Sequence, residues 1–488
     1  MTSASVQPTD TSHANVSREI VPLGKVATIV SGFGFPKALQ GKAEGDLPFF
    51  KVGDISTAWK SGRQMLTTAQ HYLSEEEAKS IKARAFPKGT IVFAKIGEAI
   101  KLNRRAILGQ PALVDNNVMG LIPDYEVVDH RYLFYWTLTQ KLGDISQATT
   151  VPSIRKSDVE ELEFPLVHVD QQKYIVAEIE KQFSRLDEAV ANLKRVKANL
   201  KRYKAAVLKA AVEGRLVETE AELARREGRS YETGAQLLQR ILETRRSQWK
   251  GKGKYKYKEP AAPDTTGLPE LPEGWVWSNF ETAAERVTVG HVGSMKDEYV
   301  EQGVPFLRSQ NVRANRYDPE GLKFISQEFH RQLGKSTLRP GDIVVVRSGS
   351  VGVSCVIPDH LTEANCSDLV IIKEPRGVLP HYGAYYMNSV VETRVAAGKV
   401  GVALTHFNTQ SVAELPLPVP PMAEQHRIVA EVDRRLSLIR EVDSQVDASF
   451  VRSDRLRQSI LERAFSGHIV HVDDRSVSAK TTQLSESA

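Results

Sequence analysis

The sequence predicts a mixed α/β (α+β) protein built twice over: two similar domains joined by two long helices that form an intramolecular antiparallel coiled coil. Three observations predict it. Residues 157–217 align without a gap onto residues 410–470 at a constant offset of 253, pairing Val159 with Val412, Pro165 with Pro418, Gln172 with Gln425, Ile175 with Ile428 and Gly214 with Gly467. A repeat of that length marks a whole module plus a connecting element, not a short solenoid unit. After each module the apolar residues step by fours and threes, the 3.5-residue period of a coiled-coil seam. Before it, short runs rich in Val, Ile and Phe are punctuated by Gly and Pro, the pattern of strands and turns.

Residues 1–17 have no apolar core, which reads as a disordered tail and not as a signal peptide. The first domain spans 18–168 and opens with VPLGKVATIVSGFGFP, a strand and turn. LPFFKVGDIS and PKGTIVFAKIGEAI follow as two β-type stretches, and SEEEAKSIKAR and HRYLFYWTLTQKL as short helices. The first long helix, within 169–214, carries its stripe on Ile175, Ile179, Leu186, Ala189, Leu193, Val196, Leu200, Tyr203, Val207 and Ala210, with Gln182 the one polar interruption. No proline falls between Pro165 and Gly214, a natural C-cap, so the helix is about 44 residues or ~65 Å long. Residues 215–271 hold a helical segment (GAQLLQRILETRR) and a Pro-rich linker. The second domain, 272–421, opens with LPEGWVWSNF and supplies the counterparts VPFLRSQNVR and RPGDIVVVRSGSVGVSCVI. The second helix, within 422–467, places Ile428, Val432, Ile439, Val442, Val446, Leu456 and Ile460 on its seam, with polar gaps at Ser449 and Ser453. Residues 468–488 read as a second disordered tail.

A lone helix with such a stripe has nowhere to bury it, so the two pack on each other; a coiled-coil dimer between chains is the alternative. If the pair is antiparallel, the end of the first helix lies beside the start of the second, where the second domain must sit. A parallel pair would oblige residues 215–274 to return ~65 Å, which they could span. The antiparallel form asks less of the chain.

Composition sets mild bounds. The 488 residues exceed a single core and suit two domains of about 150 residues each. No apolar run approaches the ~18 residues of a membrane span. Cys355 and Cys366 cannot make a metal site by themselves and read as small core residues in a cytoplasmic protein. The net charge is +5, and its distribution matters more than its sum. Residues 194–209 carry seven Lys or Arg and no acid, and residues 240–258 carry eight basic residues and three aromatics, so each run is either a solvated face or a contact for phosphate or an acidic surface.

Catalytic signatures are missing. Gly334-Lys335-Ser336 ends like a phosphate-binding loop, but Phe329 stands where its first glycine would be. No Asn-Pro-Pro-aromatic or Asp-Pro-Pro-aromatic tetrapeptide, no Pro-Asp with a following acid-x-Lys, no H-E-x-x-H and no G-x-S-x-G occurs. His71, His291 and His406 show no ligand spacing. The chain binds something and lets another protein act.

The run Gly398-Lys399-Val400-Gly401-Val402-Ala403-Leu404-Thr405-His406-Phe407, followed by LPLPVPPMAEQHRIV at 415–429, resembles the end of a target recognition domain from the specificity subunit of Type I restriction-modification systems. LPEGWVWSNF at 271–280 resembles that family's domain start, and GDIVVVRSG at 341–349 its inner strand. The resemblance covers about residues 18–470, each element in the family's order. The first unit departs from the pattern: it has Val167-His168-Val169-Asp170-Gln171-Gln172 where the second has PPMAEQ, and its opening lacks the Gly-Trp pair. These changes touch the joint between domain and helix.

The resemblance implies a non-catalytic cytoplasmic subunit that recognises a bipartite asymmetric sequence on double-stranded DNA. Each domain would read one half-site in the major groove, and the helices would fix the spacing. No cofactor would bind this chain. Two modification subunits carrying S-adenosylmethionine would methylate adenine, and restriction subunits using ATP and Mg would translocate and cut DNA. An enzyme of unfamiliar motif, a coiled-coil scaffold that binds only proteins and a stand-alone DNA-binding regulator are the competing readings.

Candidate DNA contacts are polar or basic residues beside strand ends and on the segment before the first helix. In the first domain these are Lys51, Lys95, Lys101, Arg104, Arg105, Ser153, Arg155 and Lys156. In the second they are Arg308, Ser309, Asn311, Arg313, Arg347, Ser348, His406 and Asn408.

Overall fold

In both halves, apolar runs too short for a stable helix and bounded by Gly, Pro or Asp pair into small sheets, and the long uninterrupted runs become helices. The computed structural model describes residues 18–147, 151–249, 257–396 and 408–468. The tail at 1–17 lies outside them, as does the other tail beyond His468. Two compact units emerge: one of residues up to Leu193 together with those from Ala448 onward, the other from Lys194 to Asp447.

The first unit holds β1 (Glu19–Pro22), β2 (Ala27–Ser31), β3 (Leu47–Phe50), β4 (Met65–Leu66), β5 (Tyr72–Leu73), β6 (Ile91–Ala94), β7 (Arg105–Leu108), β8 (Leu113–Val114), β9 (Val118–Pro123) and β10 (Glu163–Leu166). Its helices are α1 (Val52–Lys60), α2 (Glu75–Ser80), α3 (His130–Thr137), α4 (Lys156–Glu160) and the start of α5 (Val169–Val212). One sheet runs β2-β9-β6-β7-β4 and a second β5-β3-β8, while β1 pairs with β10. Tyr132, Leu133 and Trp136 of α3 join Ile29, Ile91 and Leu121 of the larger sheet in the core, with Ile175, Ile179 and Phe183 of α5.

One expectation is corrected here. LPFFKVGDIS is a strand only as far as Phe50, and α1 begins at Val52. The Lys51 amide donates to the Asp54 carboxylate (2.7 Å), and that local bond starts a helix where β-type residues alone suggested a longer strand.

The second unit contains α6 (Glu220–Glu227) and α7 (Gly234–Ser247), then the strands β11 (Val276–Asn279), β12 (Ala284–Val289), β13 (Tyr299–Val300), β14 (Val304–Leu307), β15 (Val312–Arg313) and β16 (Arg316–Tyr317). β17 (Lys323–Ile325), β18 (Ile343–Val346), β19 (Ser354–Val356), β20 (Asn365–Cys366), β21 (Leu369–Pro375) and β22 (Pro416–Val419) complete it. Four helices lie among these strands: α8 (Phe280–Ala283), α9 (Gln327–Gln332), α10 (Pro380–Ala396) and α11 (Thr409–Ala413). The sheet β12-β21-β18-β19 repeats the order β2-β9-β6-β7, and β17-β14-β20 repeats β5-β3-β8. β11 pairs with β22 as β1 does with β10, Val276 opposite Val419. Cys355 and Cys366 are both fully buried, and burial pushes the Cys355 thiol up to about 12. The second unit adds α7, whose Gly234 amide donates to the Gly274 carbonyl (2.7 Å) and whose Leu237 and Ile241 enter the core.

The last helix, α12, spans Met422–Phe465. Within each unit it runs antiparallel to α5. In the first unit Asp187 pairs with Arg457, whose guanidinium lies 5.1 Å above the Phe183 ring, and Phe465 packs on Tyr132. In the second unit Lys197 pairs with Asp447 (2.5 Å), Tyr203 meets Arg435, and Val207 and Ala211 share a core with Ile428 and Val432.

The stripe needs correction in detail. Val196, Tyr203, Val442 and Leu456 are exposed, because two helices alone cannot cover every seam position, whereas Ser453 is buried and bonds the Ser449 carbonyl (2.9 Å). Near their ends the helices bury a second face toward the domains, on Val176 and Phe183 of α5 and on Leu461, Ala464 and Phe465 of α12.

Each domain is fastened to its helix by the same bonds. Gln172, fully buried, donates to the Val127 and Val167 carbonyls (both 2.8 Å) and accepts from the Asp129 amide (2.8 Å). Gln425 donates to Gly377 (2.9 Å) and Pro420 (3.0 Å) and accepts from Leu379 (2.8 Å). Tyr132 donates to the Pro165 carbonyl (2.8 Å) and Tyr382 to Pro418 (2.9 Å). Tyr135 reaches Glu180 of α5 (3.2 Å), and Tyr385 reaches Asp433 of α12.

Candidate nucleic-acid interface

Strand ends deliver most of the candidate side chains, because successive residues beyond a strand leave the sheet in opposite directions. In the first unit Lys95 follows β6, and its ammonium donates to the Ser31 hydroxyl at the end of β2 (2.9 Å). The chain then runs beside the segment before α4. Ile154 donates to the Lys95 carbonyl (2.9 Å) and Gly97 to Pro152 (2.8 Å), with Ile96 bridged to Ser153. Lys95, Lys101, Ser153, Arg155 and Lys156 are therefore carried on two neighbouring segments, along with exposed Ile96, Leu102 and Val151. Lys101 pairs with Glu98 (2.9 Å) and Lys156 with Glu160 (3.4 Å), which neutralises part of that surface. Arg104 is half-buried.

Lys51 sits elsewhere in the unit, at the end of β3. Its ammonium donates to the Gln40 side chain (2.7 Å) and lies 5.0 Å above the Phe35 ring. Phe35 stacks on Phe49 (3.7 Å between centroids) and meets the His71 ring edge-on. Burial, then the Lys51 charge, holds the His71 imidazole below its usual value.

In the second unit Arg308 follows β14. Its guanidinium donates to the Gly321 carbonyl (2.7 Å) and lies 5.9 Å from the Tyr299 ring, and its Nε–H is buried without an acceptor. Ser309 beside it is exposed. Arg347 ends β18 as Lys95 ends β6, but it pairs with Asp368 (2.5 Å), and exposed Ser348 follows. Arg313 binds Asp318 (3.0 Å), which is the first cause holding that carboxyl below its usual value.

Two candidates serve the fold instead of a surface, and a third caps a helix while staying exposed. Arg105 is 1% exposed, its guanidinium donates to the Asn103 (2.9 Å) and Gln140 carbonyls, and desolvation pulls it down to about 9. Asn311 is fully buried, accepts from the Arg308 amide (3.0 Å) and donates to the Asp318 (3.0 Å) and Glu320 (3.1 Å) carbonyls. Asn408 caps α11 through the Ser411 amide (2.8 Å). His406 lies outside the described residues.

The arrangement carries cationic and hydroxyl groups at strand ends and on the loops that follow them. Among the described residues, no three His, Cys, Asp or Glu side chains gather as a metal site would require, and no helix is long and apolar enough to cross a membrane.

Residues 15–202 match the family model described as the Type I restriction modification DNA specificity domain. The chain is 23% identical to the Type I restriction enzyme EcoBI specificity subunit of Escherichia coli, over 92% of this chain and 85% of that protein. To the EcoKI specificity subunit of Escherichia coli strain K12 it is 20% identical, over 92% and 89%. Among solved structures, a chain from a study of complex assembly and conformational transition of the type I R-M system aligns with a TM-score of 0.62 at 16% identity, over 92% of this chain and 97% of that one. The HsdS subunit from Thermoanaerobacter tengcongensis aligns with a TM-score of 0.51 at 16% identity, over 93% and 97%. Over nearly its whole length the chain is thus similar to Type I restriction enzyme specificity subunits.

The geometry also holds what residue type alone missed. Phe35, Gln40 and Tyr299, none of them basic, hold the two cations at the ends of β3 and β14. No local motif marks them. The fastening pair Gln172 and Gln425 did carry a signal, since the repeat keeps glutamine at both positions.

Proposed function

We propose that this chain is the DNA sequence-recognition subunit of a Type I restriction-modification complex, acting in the cytoplasm and catalysing nothing by itself. Each unit reads one half of a bipartite asymmetric target. The two long helices set the spacing between half-sites and dock two modification subunits, which supply S-adenosylmethionine chemistry; restriction subunits using ATP and Mg join them. The observation that carries this reading is the duplication itself. Two units of one strand order, each fastened to its long helix by the same glutamine and tyrosine bonds, are suited to making one kind of contact twice.

Mapping DNA methylation in a host that expresses the chain with its modification subunit tests it. Insertion of one heptad into both α5 and α12, where Lys197 meets Asp447, lengthens each helix by ~10 Å and keeps the seam in phase. The methylated motif should keep both half-sites and gain about three base pairs of spacer, at ~3.4 Å each. An unchanged spacer in a folded insertion variant would show that the helices are not the ruler. Native mass spectrometry should find two modification subunits per chain, and a 1:1 complex as the sole species would count against the repeat.

A further inference from the structure

Lys51 and Arg308 occupy one and the same place in the duplicated unit. β3 pairs in parallel with β8, Phe50 opposite Val114, and β14 with β20, Leu307 opposite Cys366. One residue beyond each pair the Asp115 amide donates to the Phe50 carbonyl (3.0 Å) and the Ser367 amide to Leu307 (2.9 Å). The next residue on the first strand is the cation, and both take the same extended backbone, φ −111° at Lys51 and −128° at Arg308. Each amide is then held by the side chain three residues on, Asp54 or Asn311. Gly32 and Gly290 complete the likeness: a Cβ at either would strike the Asp115 or Ser367 carbonyl, so the neighbouring strand can approach this turn only through glycine.

The two cations also share an electrostatic condition. Lys101, Lys156, Arg313 and Arg347 are paired with carboxylates. Lys51 and Arg308 instead rest on neutral acceptors, the Gln40 amide oxygen and the Gly321 carbonyl, each over an aromatic ring. The rings come from unrelated places in the sequence, Phe35 after β2 and Tyr299 in β13. The same result is thus reached twice: a cation with no carboxylate partner among the described residues, anchored by a neutral acceptor and a ring, with a donor to spare.

We infer that Lys51 and Arg308 are counterpart guanine-reading residues, one for each half-site. This rests on the proposed DNA-recognition function and specifies which bases it reads and where. A guanine presents two acceptors, O6 and N7, in the major groove, whereas adenine and cytosine each present an amino group that a cation meets poorly. A fixed head group suits a base edge, which has one position. Phosphates tolerate mobile side chains because they carry no sequence information. Asp54 and Asn311 are positioning residues that set where each cation leaves the strand.

The test maps the methylated motif and measures DNA affinity for the assembled complex carrying Lys51→Ala, Arg308→Ala, or Lys51→Met and Arg308→Met, the last two keeping an apolar stem on the ring. Each variant should relax one guanine, Lys51 variants in one half-site and Arg308 variants in the other, with a roughly 5- to 150-fold loss on the cognate duplex. If the motif stays intact while all duplexes weaken alike and the salt slope falls by about one, the residues touch phosphate and the inference is overturned. A wild-type complex that methylates no bipartite motif would instead sink the proposed function. Variants that relax no position beside a wild type with a bipartite motif would sink this inference alone.

Discussion

Replacing Gln172 with alanine tests the joint between the first domain and its helix. The side chain is fully buried and makes three bonds, two to carbonyls and one from an amide. Truncation orphans all three groups. At about 1–3 kcal/mol for the buried Val167 carbonyl and about 1 kcal/mol for each of the part-buried Val127 and Asp129 groups, the loss is ~3–5 kcal/mol. A water entering the vacated polar space recovers part of any larger penalty, so about 3–5 kcal/mol is expected. Unfolding of a two-unit chain is not a single transition, so native-state hydrogen exchange is the suitable assay. The Asp129 amide and those of α3 should exchange at least ~100-fold faster, at about 1.4 kcal/mol per tenfold, while the Leu379 amide stays protected. Gln425→Ala should produce the mirror result at Leu379. A change below about fivefold at α3 in Gln172→Ala, or equal loss in both units, would refute the claim that this glutamine fastens its own domain.

Two further outcomes follow from buried charges. Glu424 accepts from the Glu220 amide (2.8 Å) and the Trp275 indole (3.0 Å), and burial holds its carboxyl above the ordinary value of 4.5. The folded state therefore binds this proton more tightly than the unfolded chain, so the second unit loses stability as pH rises from 4.5 through the raised value and then levels off. Glu424→Gln should abolish that component, seen as the difference between wild type and variant, and cost ~1 kcal/mol for the one lost acceptor; identical pH profiles would refute it. Arg105→Ala should destabilise the first unit and leave the salt dependence of DNA binding unchanged, whereas Lys95→Ala should lower the slope by about 0.9 and leave exchange intact. A reduced slope in a fully protected Arg105→Ala chain would return Arg105 to the interface.

The long helices were legible because a 3.5-residue stripe sustained over about 44 residues fits a long packed helix and little else. The exposure of Leu456 and burial of Ser453 were not, since those depend on how far a partner helix covers each turn. α1 was missed although its signal was present: Asp54 stands three residues after Lys51, the spacing of a local cap. The site was legible only as a set of strand ends. Arg104 and Arg105 are adjacent cations at the start of β7, and neighbouring residues there face opposite ways. Nothing in the pair says which one turns inward. Asn311 misled for a related reason: an amide that organises a loop and one that reads a base are the same residue type.

The first unit is discontinuous. It takes its core from residues up to Phe183 and then from Leu461, Ala464 and Phe465, whereas the second unit is one uninterrupted stretch. On the ribosome the order of completion is therefore reversed. The amino-terminal unit is begun first but waits for about 270 further residues, roughly 15–55 s at ordinary elongation rates, before its last helical turns arrive. During that interval Tyr132 and Phe183 lack the neighbours they have in the finished chain, Phe465 and Arg457, and the nascent chain is exposed to chaperones and proteases at its oldest end. A premature stop only a few codons from the end of α12 would consequently damage the half made earliest and spare the half made last.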